Sequence, residues 1–166
     1  MTLNVGLLFF AYGCHMDASH LAGVVGIELA PGGPARLDGW RLAFNHRDED
    51  GSIVASIVQA PNCLTCGVVY RLPHEALSVL DDYEGAPDDY RRETLWVEPL
   101  GRVARQAALV YVGQDSCRVD EGRPEERYLN LLTGGAEAHG LPADYVRWLG
   151  MRARGETEDC FAELRD

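Results

Sequence analysis

The hydrophobic residues of this chain change period, and that change limits the folds open to it. From Val5 to Val112 the apolar positions fall in short runs or alternate one by one, the pattern of strands. One stretch interrupts them, Pro73–Gly85, where Ala76, Leu77, Leu80 and Tyr83 recur at three- and four-residue steps. Beyond Glu125 that helical spacing takes over, with Tyr128, Leu131, Leu132, Gly135 and Ala136 on one side. Strands that cluster first and helices that follow predict an α+β domain: a small, mostly antiparallel or mixed β-barrel with flanking helices.

The expected strands are Val5–Tyr12, Arg36–His46, Ile53–Val58, Leu64–Leu72, Tyr90–Val97 and Gln106–Val112, the last two joined through the turn Pro99–Arg105. Pro31-Gly32-Gly33-Pro34 reads as a loop, Arg47–Ser52 as a charged turn, and Ala60-Pro61-Asn62 as a break between strands. Asp17–Val25 suits a short helix or turn. Pro73 at a first helical turn opens the Pro73–Gly85 helix and Gly85 closes it. Glu125–His139 and Ala143–Met151 are helices, and Gly155–Leu164 is a terminal helix or a frayed tail. With no repeat, low-complexity tract or linker, residues 1–166 read as one domain.

Composition removes some partners. The net charge of −11 disfavours nucleic acid and anionic membrane surfaces, which need clustered Lys and Arg. No apolar run is long enough to span a membrane, and Leu3–Phe10 lacks the flanks of a signal peptide. Five cysteines, an odd count at irregular spacing, suggest reduced thiols and a cytoplasmic setting.

Two stretches can carry chemistry. In Phe9–Met16 an apolar strand runs into Tyr12-Gly13 and then turns toward a helix. A glycine there permits a sharp turn, and successive N–H groups facing one space can cradle an anion or a developing oxyanion. The second is Glu84. It lies four residues after Leu80, so it projects from the apolar face of its helix, and it sits at the helix C-terminus, where the dipole disfavours negative charge. Both effects raise a carboxyl pKa toward the range of a group that takes a proton and returns it. Asp81 and Asp82 read as solvated neighbours, one of which could tune Glu84.

Other features read as structural. Cys63-Leu64-Thr65-Cys66 has no second pair to complete a metal site and leads into a strand, so both are taken as ordinary thiols. His20, His46, His74 and His139 show no ligand spacing, and no metal or organic cofactor is expected. Trp40, Trp96 and Trp148 are expected in the core. Cys14 beside His15 permits a thiolate nucleophile, but adjacent side chains in an extended loop usually diverge.

Phe10-Ala11-Tyr12-Gly13 followed by Met16 resembles the Phe-Ala-Tyr-Gly-Ser-Asn-Leu/Met loop of the γ-glutamylcyclotransferases. Leu80-Asp81-Asp82-Tyr83-Glu84-Gly85 resembles that family's Leu-Asp-x-x-Glu-Gly segment. Gly51–Pro61, Gly67–Tyr70 and Gly140–Tyr145 follow in the same order, so the likeness spans roughly residues 7–150. The resemblance, to the AIG2-like and γ-glutamylamine cyclotransferase superfamily, implies a barrel with a pocket at its mouth. It implies release of 5-oxoproline and a free amine from a γ-glutamyl substrate, with no cofactor. Glu84 falls on the family's acid/base. Tyr12, Gly13, Cys14, His15 and Met16 fall on the substrate loop, and Tyr90 and Tyr128 on pocket walls. A homodimer would fit the family.

The chain departs from the family pattern where Cys14-His15 replace Ser-Asn, which puts substrate choice in question. Three readings follow: a cyclising lyase using Glu84, a non-catalytic small-molecule binder on the same fold, or a Cys14-dependent acyl transferase or amidase. A γ-glutamyl amino acid or a γ-glutamyl-protected metabolite would suit the first, and glutathione less so.

Overall fold

The computed structural model describes residues 6–163. Five strands close into a barrel in the order β1 (Leu7–Ala11), β3 (Ile53–Leu72), β2 (Pro31–Arg47), β4 (Tyr90–Pro99), β5 (Gln106–Gly113). All neighbours are antiparallel except β1 and β5, whose parallel contact at Phe9 and Leu109 shuts the ring. The expected α+β barrel is present. The start of the first strand, at Val5, lies outside the described residues.

Closure explains why the central strands read as apolar runs. Side chains on one face fill the barrel and those on the other meet helices, so Cys63–Tyr70 of β3 are buried on both sides. Four helices flank the sheet: α1 (Ala18–Val25), α2 (His74–Glu84), α3 (Glu126–Ala138) and α4 (Ala143–Ala153). Asp17 caps α1, its carboxylate accepting from the His20 N–H at 2.8 Å. Pro73 stands as the N-terminal cap of α2, one position earlier than expected, and Gly85 ends that helix in the left-handed conformation.

Several expectations need correction. Pro31–Pro34 is not a loop: it pairs with Val68–Tyr70 across a bulge, where an extra residue absorbs the misfit. Ala60–Asn62 does not end a strand. The partner of Asp38 is Leu64 and that of Trp40 is Gln59, so β3 bulges outward there and continues. Trp96 lies on the outer face of β4 and is 64% exposed. No helix forms after α4 among the described residues, where the tail instead lays Phe161 against Tyr145 and Trp148; Leu164 lies outside them. Cys63 is not a free thiol. The Leu64 N–H donates to the Phe161 carbonyl, which brings Cys160 alongside, and the two cysteines form a disulfide. Cys14, Cys66 and Cys117 are free. Thiol usage therefore no longer argues for a reducing compartment. Among the described residues no helix is long and apolar enough to cross a membrane.

One contact positions everything at the barrel mouth. At Gly135, α3 lies directly on the 3-10 turn Cys14–Met16 that follows β1, and a Cβ there would come within 2.5 Å of the Met16 carbonyl carbon. Next to it Gly134 has open space. Gly135→Ala is therefore expected to cost about 1–3 kcal/mol by forcing helix and turn apart. Gly134→Ala should be neutral or stabilising by up to about 1 kcal/mol. Denaturant melts of the two variants check the contrast.

The second prediction concerns His46, a buried residue whose ring stacks on Tyr90 at 4.1 Å. Burial holds its pKa below 6.5, and burial followed by the neighbouring His15 does the same for His20. Unfolding restores the ordinary values. As pH falls through about 6.5 the unfolded chain takes up protons that the folded one refuses, so stability present above that point is lost toward lower pH. Denaturation midpoints should fall between about pH 7.5 and 5.5, and less steeply in His46→Asn. An equal slope in both proteins would exclude His46 as a contributor.

Candidate active site

β1 ends at Ala11 and delivers Tyr12 and Gly13 to the barrel mouth, where the chain winds into the 3-10 turn Cys14–Met16. Within this turn the Met16 N–H donates to the Gly13 carbonyl and the Asp17 N–H to the Cys14 carbonyl. The amides of Gly13, Cys14 and His15 precede those bonds and are not used within the turn, and those of Cys14 and His15 face the Cys14 sulfur. Met16 is thereby removed from the expected binding set. Its amide is used internally, its side chain is fully buried, and its carbonyl accepts from the Tyr70 hydroxyl at 3.1 Å.

Glu84 comes to this turn from α2. Its Oε1 lies 2.7 Å from His15 Nε2, and its side chain is 13% exposed. Thus the carboxyl group predicted to face away from solvent does so, with a partner that sequence reasoning did not supply. A second link anchors the same helix end: the Tyr111 hydroxyl of β5 donates to Asp81 Oδ1 at 2.7 Å, and Arg92 Nε lies 3.4 Å from that oxygen. Asp81 is therefore a structural anchor, not a solvated neighbour.

Tyr90 and Tyr128 line the same space and share one backbone unit. The Tyr90 hydroxyl donates to the Ala55 carbonyl at 2.9 Å, and the Tyr128 hydroxyl accepts from the Ala55 N–H at 3.0 Å. Tyr12 donates to the Tyr111 carbonyl at 2.6 Å. Burial, followed by nearby acidic groups, raises the pKa of all three phenols above the ordinary value, so each stays a hydroxyl at neutral pH.

These residues enclose a niche of about 50 Å³, bounded by Tyr12, Gly13, Cys14, His15, Glu84, Tyr90, Tyr111 and Tyr128. It adjoins a groove of about 590 Å³ that shares Cys14, Glu84, Tyr90 and Tyr128 with it. The groove wall holds Asp48, Glu49 and Asp50 of the β2–β3 turn, with Asp82, Asp89 and Glu125, against one strongly basic residue, Arg127. No ion pair joins any of those six acids to a cation among the described residues. His20, Tyr83 and the Asp48–Asp50 turn were missed by sequence reasoning. They meet the site from separate segments, so no local spacing marks them.

The surroundings of Cys14 disfavour a free nucleophilic thiolate. Burial, then the Glu84 charge, push its thiol up to about 12, which leaves little thiolate at neutral pH. The adjacent imidazole is turned to Glu84. This arrangement gives the Cys14-dependent acyl transferase or amidase less support than a role for Glu84.

Comparison with known proteins places this chain in a family. The profile of the AIG2-like family matches residues 65–149. "Putative gamma-glutamylcyclotransferase YkqA" of Bacillus subtilis (strain 168) is 32% identical over 139 residues, covering 82% of this chain and 48% of that protein. The chain thus spans about half the length of that curated relative. The crystal structure of YkqA superposes with a TM-score of 0.78 at 30% identity, over 90% of this chain and 54% of YkqA. A structure described as gamma-glutamyl cyclotransferase matches with a TM-score of 0.79 at 22% identity, over 87% of this chain and 86% of its own, which shows a common fold. With the profile spanning half its length and the barrel shared, the chain belongs to the AIG2-like family of γ-glutamylcyclotransferase-like proteins.

Proposed function

We propose that this protein is a γ-glutamylcyclotransferase-type lyase that releases 5-oxoproline and a free amine from a γ-glutamyl amide. The observation that carries this reading is the Glu84 carboxyl group, mostly shielded from water, held by His15 and set where the niche meets the groove. The γ-glutamyl head enters the niche and the amine portion lies in the groove.

A γ-glutamyl substrate carries its own nucleophile, an α-amine that closes a five-membered ring on the γ-carbonyl, so proximity is built in and no covalent enzyme intermediate is needed. At neutral pH that amine is an ammonium. Glu84 takes its proton, the nitrogen attacks the γ-carbon, and the carbonyl π electrons move onto oxygen. The amides of Gly13, Cys14 and His15 are the donors for this oxyanion. The ring nitrogen sheds its second proton as the bond forms; collapse re-forms the carbonyl and breaks the bond to the departing nitrogen, which takes the proton held by Glu84 and then the second one, leaving as an ammonium. The products are 5-oxoproline and the free amine, and the carboxylate is regenerated. His15 orients Glu84 through the 2.7 Å hydrogen bond, while Tyr90 and Tyr128 form the walls.

Glu84→Gln keeps the size of the side chain and removes its proton transfer. We expect wild-type protein to release 5-oxoproline from a panel of γ-glutamyl amines, and Glu84→Gln to be slower by about 10²–10⁴-fold at unchanged thermal stability. Binding of every panel member without release of 5-oxoproline would favour the non-catalytic alternative, and a fully active Glu84→Gln would refute the assigned role.

The unpaired acids of the groove bear on the leaving group. An amine that keeps a positive charge after release is favoured there, and one bearing carboxylates is repelled. At low salt kcat/KM should be higher for γ-glutamyl derivatives of diamines than for γ-glutamyl-glutamate. The gap should narrow as ionic strength rises, because exposed charges are screened over about 10 Å at 0.1 M salt. A preference that ignores salt would separate leaving-group choice from these carboxylates.

A further inference from the structure

Three metal-ligating side chains meet beside the niche from two adjacent segments. One donor atom each from Cys14, His15 and His20 lies within 4.8 Å of the other two. His15 Nε2 is committed to Glu84, whereas His15 Nδ1 is buried and has no hydrogen-bond partner, in a residue only 4% exposed. A buried polar atom left without a partner has lost its hydration with nothing in exchange, so this nitrogen calls for a ligand. His20 stacks on His15 with ring centroids 5.3 Å apart, and its Nε2 lies 3.3 Å from the Tyr83 hydroxyl.

We propose that Cys14 Sγ, His15 Nδ1 and a ring nitrogen of His20 form a binding site for a thiophilic divalent ion of the zinc type. Three points of chemistry support it. One thiolate with two imidazoles is the donor set of borderline-soft ions, and three protein ligands leave one position open, which here faces the groove lined by Cys14 and His20. Glu84 on the far nitrogen of His15 supplies the carboxylate that commonly orients a ligating histidine and fixes its tautomer. Zinc–ligand bonds of about 2.0–2.3 Å in a tetrahedron set donors about 3.3–3.7 Å apart, and the three residues already bring one donor atom each within 4.8 Å of the others. Binding replaces the S–H bond of Cys14 with a metal–sulfur bond and releases that proton to solvent, one per ion.

His20 is half-buried, stacked on His15 and borders the groove. The site shares Cys14 and His15 with the niche, and its test requires neither turnover nor a γ-glutamyl ligand.

Cobalt(II) is the probe, added to the metal-free protein. Wild type should develop a near-ultraviolet thiolate-to-cobalt charge-transfer band that saturates at one equivalent and is bleached by zinc. Cys14→Ser should lose that band. His20→Ala, at a half-exposed position that leaves the fold intact, should weaken cobalt binding at least as much as the about 10–100-fold cost of losing an outer-sphere partner. Cys117→Ser, which removes a free thiol outside this cluster, should bind as wild type does. No charge-transfer band at stoichiometric cobalt, a band that survives Cys14→Ser, an unchanged affinity in His20→Ala, or loss of the band in Cys117→Ser would each overturn the proposal.

Discussion

Closure of the barrel by β1 is the constraint from which the rest follows. This five-residue strand lies between β3, antiparallel, and β5, parallel, and without it the sheet would keep two open edges. Its exit therefore falls at one rim of the barrel, with α2 and α3 converging on the turn that follows. Gly135 lets α3 press on that turn, and Tyr70 holds the Met16 carbonyl from below. The turn is fixed by packing, so under the proposed reaction its amides would meet a developing charge without reorganising.

Two polar links then fasten the last turn of α2 to this rim. One joins Glu84 to His15 and the other joins Asp81 to Tyr111. Residues three apart on a helix share a face, so a single helix end both presents the carboxyl group and is clamped at its side. Neutral phenols and a neutral thiol surround the carboxyl group within the niche, and full charges gather in the outer groove. Cys14, Glu84, Tyr90 and Tyr128 border both spaces, and Glu84 is the one carboxyl group among them.

Local signals were legible in the sequence and long-range ones were not. The α2 helix, its Gly85 terminus and the inward aim of Glu84 follow from spacing within a dozen residues, and all three are present. The partner of Glu84 lies 69 positions away and the disulfide spans 97, distances over which no periodicity operates. The resemblance to a known family named Glu84 and the tyrosines, yet His15 was visible only as a departure from its pattern. Errors at Pro31–Pro34 and Ala60–Asn62 share one cause. Proline and glycine read as strand breakers, but bulges accommodate them inside long strands, where pairing resumes once the misfit is absorbed. Trp96 misled for another reason: alternation identifies a strand without saying which face meets solvent.

The shared hold of Tyr90 and Tyr128 on Ala55 has a mechanical meaning. Rings arriving from β4 and α3 grip the carbonyl and the N–H of the same residue, and neither grip uses its side chain. Opposite walls of the cleft are thus coupled through a strut of main chain, so neither wall can swing outward alone and any breathing of the mouth must flex β3 itself. Drift at position 55 toward another small residue would leave this strut untouched.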